Sequence, residues 1–144
     1  MARVALVYNL VHPEQLRRGP LDTVAEYDNE ETIAALRTAL EADGHTVLPV
    51  EADETIMEHL RTLRPDIVFN VAEGLRGASR ESHIPAICEM LGIPYTGSTP
   101  LTLALCLDKA RAKEVLLHYG LATPRFQVMD SPHDTLRDGM RYPL

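Results

Sequence analysis

The chain carries two cysteines in 144 residues, and no apolar run approaches the roughly 20 residues that a membrane-spanning helix needs. Cys88 and Cys106 do not form a CxxC pair, and each falls in an apolar helical pattern. Buried, inert thiols in a reducing compartment are therefore expected, not a disulfide. A secretion signal is not apparent: Met1-Ala2-Arg3 leads straight into Val4-Ala5-Leu6-Val7-Tyr8, which polar residues soon follow. Cytoplasm is the expected compartment, with no membrane partner. Positive charge is scarce, with 14 Lys and Arg against 21 Asp and Glu and a net charge of −7. That field repels a polyanion, so nucleic acid is not an expected partner. The six histidines (12, 45, 59, 83, 118, 133) show no HxxxH spacing, and no metal site is expected from them. Neither a GxGxxG nor a GxxxxGK[ST] phosphate loop occurs, and no Ser/His/Asp set suggests itself.

What is present is an ordinary globular composition, 45% hydrophobic and 24% charged, in a chain long enough to bury a core. Val4–Tyr8 is continuously apolar, as a strand covered on both faces would be. A long polar connection follows over residues 9–27, with Pro13, Gly19 and Pro20; loops of that length are more often functional than idle. The pattern then predicts a helix capped by Asp28 with Glu31 three residues on, carrying Ile33, Leu36 and Leu40 and stopped by Gly44. Thr46–Val50 reads as a second strand, Asp53–Leu63 as a helix ended by Pro65, and Ile67–Ala72 as a third strand. Ser82 is the expected cap of a helix with Pro85 in its first turn and Gly92 at its end. Ile93–Thr96 reads as a short fourth strand, followed by helical stretches at Leu101–Leu107 and Asp108–Tyr119. Thr123-Pro124 then turns the chain into the alternating Arg125–Met129. Such alternation implies an α/β, three-layer Rossmann-like parallel sheet with flanking helices. Ligands of such sheets sit beyond the carboxyl ends of the strands, which directs attention to the loops after Tyr8, Ala72 and Thr96.

The loop Glu73-Gly74-Leu75-Arg76-Gly77-Ala78-Ser79-Arg80-Glu81 joins a strand to a helix. Its glycines allow close backbone approach, and Arg80 offers a forked donor to a carboxylate or phosphate. By itself it reads more simply as a solvated connection. Tyr95-Thr96-Gly97-Ser98 is a second candidate, whose plainer reading is a turn with a helix cap. Lys109, Arg111 and Lys113 share one helix. A lysine at a helix start is placed to meet a phosphate, although basic helices are most often solvated faces. Glu26, Asp28, Glu30 and Glu31 cluster where the long loop becomes a helix; the helix dipole accounts for most of them, and one is a candidate to hold a substrate ammonium group.

The order and wording of these signals carry more than each alone. Leu91-Gly92-Ile93-Pro94-Tyr95-Thr96-Gly97-Ser98, then Leu107-Asp108-Lys109 and Lys113, then Gly120-Leu121 and Thr123-Pro124, closely resembles the N-terminal portion of the D-alanine–D-alanine ligases, ATP-grasp enzymes of cell-wall synthesis. The resemblance is strong over residues 66–126 and weak before residue 45. It implies a substrate domain over 1–98, a helical connector over 99–122, and the start of a truncated ATP-grasp domain over 123–144. It further implies that Lys109 contacts ATP phosphates, that Tyr95, Gly97 and Ser98 face the active site, and that Glu26 binds the amino group of the first amino acid. Glu73, Gly74 and Arg80 would join the substrate side. ATP and magnesium are the implied cofactors, and a small amino acid the implied substrate. The reaction implied is dipeptide formation through an acyl phosphate, supplying peptidoglycan synthesis. Such enzymes are often dimeric, and the apolar positions of the 101–121 helices offer an interface for a homodimer.

The chain departs from the resemblance in three places. Glu73-Gly74 stands where a histidine-glycine pair is typical, Gly77–Glu81 replaces a glycine-rich acidic loop, and Asn9-Leu10-Val11-His12 replaces a glycine-glycine turn. These departures put D-alanine as the substrate in doubt, and a ligase-like relative acting on another amino acid, or on another carboxylate, is the alternative they leave open. Tyr142-Pro143-Leu144 resembles the approach to a strand bearing a second ATP-contacting lysine. That strand, the serine/glycine loop, the phosphoryl-binding arginine and the acidic magnesium ligands are not in the sequence, so the chain is expected not to catalyse ligation alone and its last fifteen or so residues to be poorly anchored. The alternative is a Rossmann-like binding or interaction domain without catalysis.

Overall fold

A computed structural model of the chain describes residues 1–12 and 25–140. Pro13, Gly19 and Pro20 of the long connection, and Tyr142, Pro143 and Leu144, lie outside the described residues. The chain divides into two compact units, Met1–Ala104 and Leu105–Leu144.

The first unit is built on three parallel strands, β1 (Arg3–Tyr8), β2 (Thr46–Glu51) and β3 (Ile67–Asn70), in the order β2-β1-β3. Val4 pairs with Val47 on one side and Ile67 on the other, so β1 is central. Its apolar run follows from that position, since both faces are covered. Pro49, which has no N–H to give a ladder, sits in β2 at the sheet edge. Helix α1 (Glu30–Ala42) connects β1 to β2, α2 (Ile56–Leu63) connects β2 to β3, and α3 (His83–Leu91) follows β3. Alternation along β1 sends Ala5 and Val7 to one side, where they pack with Ile56 and Leu60 of α2 and Ile84 and Cys88 of α3. Leu6 goes to the other side with Ile33 of α1 and Val47. These are the three expected layers, and Leu6, Val7, Leu60, Val68 and Cys88 are fully buried.

Several local expectations are corrected. The cap of α1 is Asn29, not Asp28: Asn29 Oδ1 accepts from the Thr32 N–H at 2.9 Å. Asp28 is withheld from the helix because its backbone is spent on the chain leaving β1, donating to the Asn9 carbonyl at 3.0 Å and accepting from the Val11 N–H at 3.1 Å. Helix α2 begins at Ile56 because Asp53 turns back on Thr55, accepting from its N–H at 2.7 Å and its hydroxyl at 2.6 Å. Ser82 makes no cap bond to α3; its hydroxyl donates to the Ser79 carbonyl at 2.6 Å, within a short 3₁₀ turn over Arg80–Ser82. The fourth strand shrinks to a single parallel bridge between Val68 and Tyr95. Pro94 has no N–H, Gly97 (φ +105°) turns the chain away, and the Asn70 N–H goes to Thr96 Oγ1 at 3.0 Å instead of to a ladder.

Helix α4 (Pro100–Leu107) is apolar on every side and buries none of its residues. Cys106 is accordingly exposed, contrary to expectation, while Cys88 is buried; both thiols are free. In the second unit, α5 (Lys109–His118) is capped by Asp108, which accepts from the N–H groups of Ala110 and Arg111 at 3.1 and 3.0 Å. Arg125–Met129 forms no strand. Instead Gln127 accepts from the Arg137 N–H at 2.7 Å and donates to the Thr135 carbonyl at 2.8 Å, and Arg125 donates to the Gly139 carbonyl at 3.2 Å. The described part of the tail is thus tied to itself by side chains.

Candidate functional site

The chain leaves β1 at Asn9, β2 at Ala52 and β3 through Val71 to Gly74, all at the carboxyl end of the sheet. Asn9 is 3% exposed and joins all three exits. Its amide nitrogen donates to the Ala52 carbonyl at 2.9 Å, and its oxygen accepts from the Gly74 N–H at 3.0 Å. Gly74 is itself forced to be glycine. Its φ is +79°, and a Cβ there would lie 2.6 Å from the Arg80 carbonyl carbon and closer still to the oxygen. Its carbonyl accepts from the Tyr27 hydroxyl at 3.0 Å.

Around this backbone stand three carboxylates, Glu26, Glu73 and Glu81, each with an oxygen within 4.8 Å of the others. Arg80 reaches Glu26 in a direct ion pair. The Glu73 carboxyl is held above the usual glutamate range, chiefly because burial penalises its charge and then because Glu81, Glu26 and Asp28 repel it; Arg80 opposes the rise. Burial likewise raises the Tyr27 phenol, with Arg80 opposing and Glu51 and Glu73 adding to the rise. Tyr27 therefore stays an O–H donor at neutral pH. Nearby His12 Nε2 lies 2.5 Å from Glu51 Oε1. Among the described residues the cluster is acidic, with Glu73 and Glu81 half-buried and Glu26 exposed, and holds one guanidinium, which suits it to a group carrying an ammonium and a carboxylate.

Four of the residues singled out in the sequence, Glu26, Glu73, Gly74 and Arg80, come together here. Tyr95 is half-buried against the α2/α3 side of the core, and its hydroxyl donates to Glu89 at 3.0 Å. Gly97 and Ser98 lie in the exposed turn beyond the Val68–Tyr95 bridge. Lys109 belongs to the second unit, where its ammonium donates to the Cys106 carbonyl at 2.8 Å. Tyr27 and the holding role of Asn9 were missed from the sequence. A polar residue directly ending a buried strand was the available signal for Asn9. Nothing local marked Tyr27.

No family model matches the chain. Among curated proteins it is 39% identical over 114 residues to the uncharacterized protein y4sG of Sinorhizobium fredii, covering 74% of this chain and 34% of that one. It is 37% identical over 93 residues to a D-alanine–D-alanine ligase of Moorella thermoacetica, covering 65% and 29%. A crystal structure of D-alanine–D-alanine ligase from Bacillus anthracis complexed with ATP superposes with a TM-score of 0.64 at 22% identity, over 96% of this chain and 43% of that one; this shows the fold. The chain spans about a third of the length of these curated relatives. Over the stretch that it spans, the chain belongs to the D-alanine–D-alanine ligase family.

Proposed function

We propose that this chain forms the amino-acid-binding part of an ATP-dependent ligase that joins a carboxylate to an amine, in the manner of the D-alanine–D-alanine ligases. The observation that carries the reading is the 37% identity to a D-alanine–D-alanine ligase over 65% of the chain. The geometry supports it, because the acidic cluster lies at the carboxyl edge of a parallel sheet, where ligands of such sheets bind. Glu26, Glu73 and Glu81 would receive the substrate ammonium, and Arg80, held by Glu26, would orient its carboxylate by a forked contact. Gly97 and Ser98 would border the same edge, with Tyr95 fixing their turn from behind. The wider role on this reading is dipeptide supply for peptidoglycan in the cytoplasm.

ATP, when bound, supplies the phosphoryl group that activates a carboxylate. Of the residues that could hold it, Lys109 fits one phosphate contact: an ammonium has three donors, and one is engaged at Cys106. Arg111 is paired with Glu114 at 2.6 Å, and Lys113 lies 5.2 Å over the Phe126 ring. A magnesium ion does not fit the Glu26–Glu73–Glu81 cluster. Magnesium wants several ionised oxygens free in a tight octahedron, whereas Arg80 already occupies Glu26. An ammonium needs no octahedron and can share these carboxylates with Arg80.

A different amino acid as substrate is favoured by Glu73 itself. With three carboxylates and one guanidinium among the described residues, the edge suits an amino acid carrying a further positive charge better than a small neutral one. Isothermal titration of the chain tests the reading. D-Alanine and a basic amino acid are compared, and Glu26→Gln is expected to abolish the heat of whichever binds. ATP with magnesium is titrated separately, with Lys109→Ala expected to weaken it. A folded chain that binds no amino acid would refute the proposal and leave a binding or interaction domain on a ligase fold.

A further inference from the structure

We infer that Tyr27 and Asn9 are positioning residues, which clamp the Gly74 peptide from its two sides and thereby set Glu73 and Arg80 against Glu26. Both polar groups of a single backbone residue are taken by side chains: the N–H by Asn9 at 3.0 Å and the carbonyl by Tyr27 at 3.0 Å. The third side of Gly74 is closed by the Arg80 backbone, which leaves no room for even a Cβ. Gly74 therefore has one place to be. Glu73 precedes it by one residue, so the direction of that carboxylate follows from the clamp. Arg80 is fixed from the other end, through its carbonyl packed on Gly74 and its guanidinium on Glu26. Tyr27 and Glu26 are consecutive, so the same short segment supplies the hydroxyl that holds the loop and the carboxylate that receives Arg80.

The two clamping side chains differ in what they add. Asn9 is buried and also holds the exit of β2, so it contributes to the fold as well as to the loop. The Tyr27 hydroxyl makes a part-buried bond to the loop, and Tyr27 is not among the core residues. Tyr27 is thus the residue that separates positioning from stability. The use of the cluster for an amino acid rests on the reading proposed above; the clamp does not.

The test compares the wild-type chain, Tyr27→Phe, and Ile33→Val, a core truncation on the opposite face of the sheet. Carboxyl titrations followed by NMR report the surroundings of Glu73, which Glu26, Glu81, Asp28 and Arg80 all influence. In Tyr27→Phe the Glu73 titration is expected to fall towards the ordinary glutamate range, because the freed Gly74 carbonyl lets the loop move into water and away from its like charges. Ile33→Val, destabilised without touching the clamp, is expected to leave it in place. If Glu73 titrates alike in Tyr27→Phe and wild type, or moves equally in Ile33→Val, the inference is overturned. The same proteins are then titrated with whichever amino acid binds the wild type. Tyr27→Phe is expected to raise its Kd about 3- to 10-fold, as loss of one positioning hydrogen bond would. A Glu73 shift in Tyr27→Phe with no amino acid bound to wild type upholds the clamp and defeats only the ligase reading. Binding with an unchanged Kd and an unchanged Glu73 does the reverse.

Discussion

Replacing Asn9 by alanine removes a side chain that links the exits of all three strands. Two partners lose their bonds: the Ala52 carbonyl, in a residue 3% exposed, and the Gly74 N–H. A buried polar group left without a partner costs about 1–3 kcal/mol, so the pair costs about 2–6 kcal/mol, less whatever an entering water restores. That is a large share of the roughly 5–15 kcal/mol that holds a domain folded. Asn9→Asp separates the two bonds. The new carboxyl still accepts from the Gly74 N–H, but when ionised it faces the Ala52 carbonyl oxygen, and burial penalises its charge. Its folded-state titration is therefore raised above the ordinary aspartate value of about 3.9. A raised acid contributes its stability below the unfolded value and loses it as pH rises through the folded one. Asn9→Asp should accordingly be close to wild type near pH 4, where its O–H donates to Ala52, and clearly weaker at pH 7. Urea unfolding followed by circular dichroism at both pH values, always as the difference from wild type, reads this out. Hydrogen exchange at the Gly74 amide reports the loop directly, and should quicken in Asn9→Ala. If Asn9→Ala costs under about 0.5 kcal/mol, or if the Asn9→Asp deficit is the same at both pH values, the role given to Asn9 is wrong.

Gly74→Ala combines a left-handed backbone with a clash against the Arg80 carbonyl, and should cost about 2–5 kcal/mol in the same assay; Gly77→Ala, with φ +98° and nothing within 4 Å, should cost only about 1–2 kcal/mol. Glu73→Gln removes a carboxyl whose folded value is raised, so the variant should be more stable than wild type at pH 7, with the gain vanishing as pH falls below the ordinary 4.5. A gain that grows on acidification would contradict the burial and repulsion assigned to Glu73. Asp108→Ala should destabilise α5 by about 1 kcal/mol through loss of its cap, measured as helical signal on heating. A thiol reagent at neutral pH should label Cys106 at once and Cys88 only on unfolding, since burial lifts the Cys88 thiol to about 11.

The sheet was legible because its strands are written in continuous apolar residues and its helices in periodic ones. What was not legible was where each backbone group finds its partner. Asp28 with Glu31 makes a sound local cap, yet the bonds of Asp28 to Asn9 and Val11 move the cap to Asn29. Ser82 fails as a cap for a similar reason, its hydroxyl being claimed by Ser79. The fourth strand carries a strand-like composition, but Pro94 and Gly97 leave it one bridge long. Cys106 lies in an apolar stretch, and the apolar pattern of α4 did not reveal that Cys106 is exposed and no residue of the helix is fully buried.

The candidate site was harder to read, since its parts meet across long separations: Glu26 and Arg80 are 54 residues apart, and Asn9 and Gly74 are 65. Spacing within one loop cannot disclose such pairs. The structure does, however, give a physical account of where this chain keeps to the ligase pattern and where it leaves it. In the Glu73-Gly74 pair the glycine is retained, and Gly74 is the position where the Arg80 backbone admits no side chain at all. The residue that differs is Glu73, half-buried at the rim, whose side chain faces other side chains and not the core. A change there alters the charge presented to a ligand without disturbing the clamp that presents it. Chemistry at this edge is therefore free to vary at residue 73 while the fold holds residue 74 fixed. On the proposed reading, Glu73 is the position at which to exchange substrate preference: Glu73→His, which gives the histidine-glycine pair that the sequence resemblance makes typical, should shift binding towards the small neutral amino acid and away from a basic one. The relative Kd values of the two ligands measure it, and a preference unmoved by Glu73→His would place the choice of substrate elsewhere.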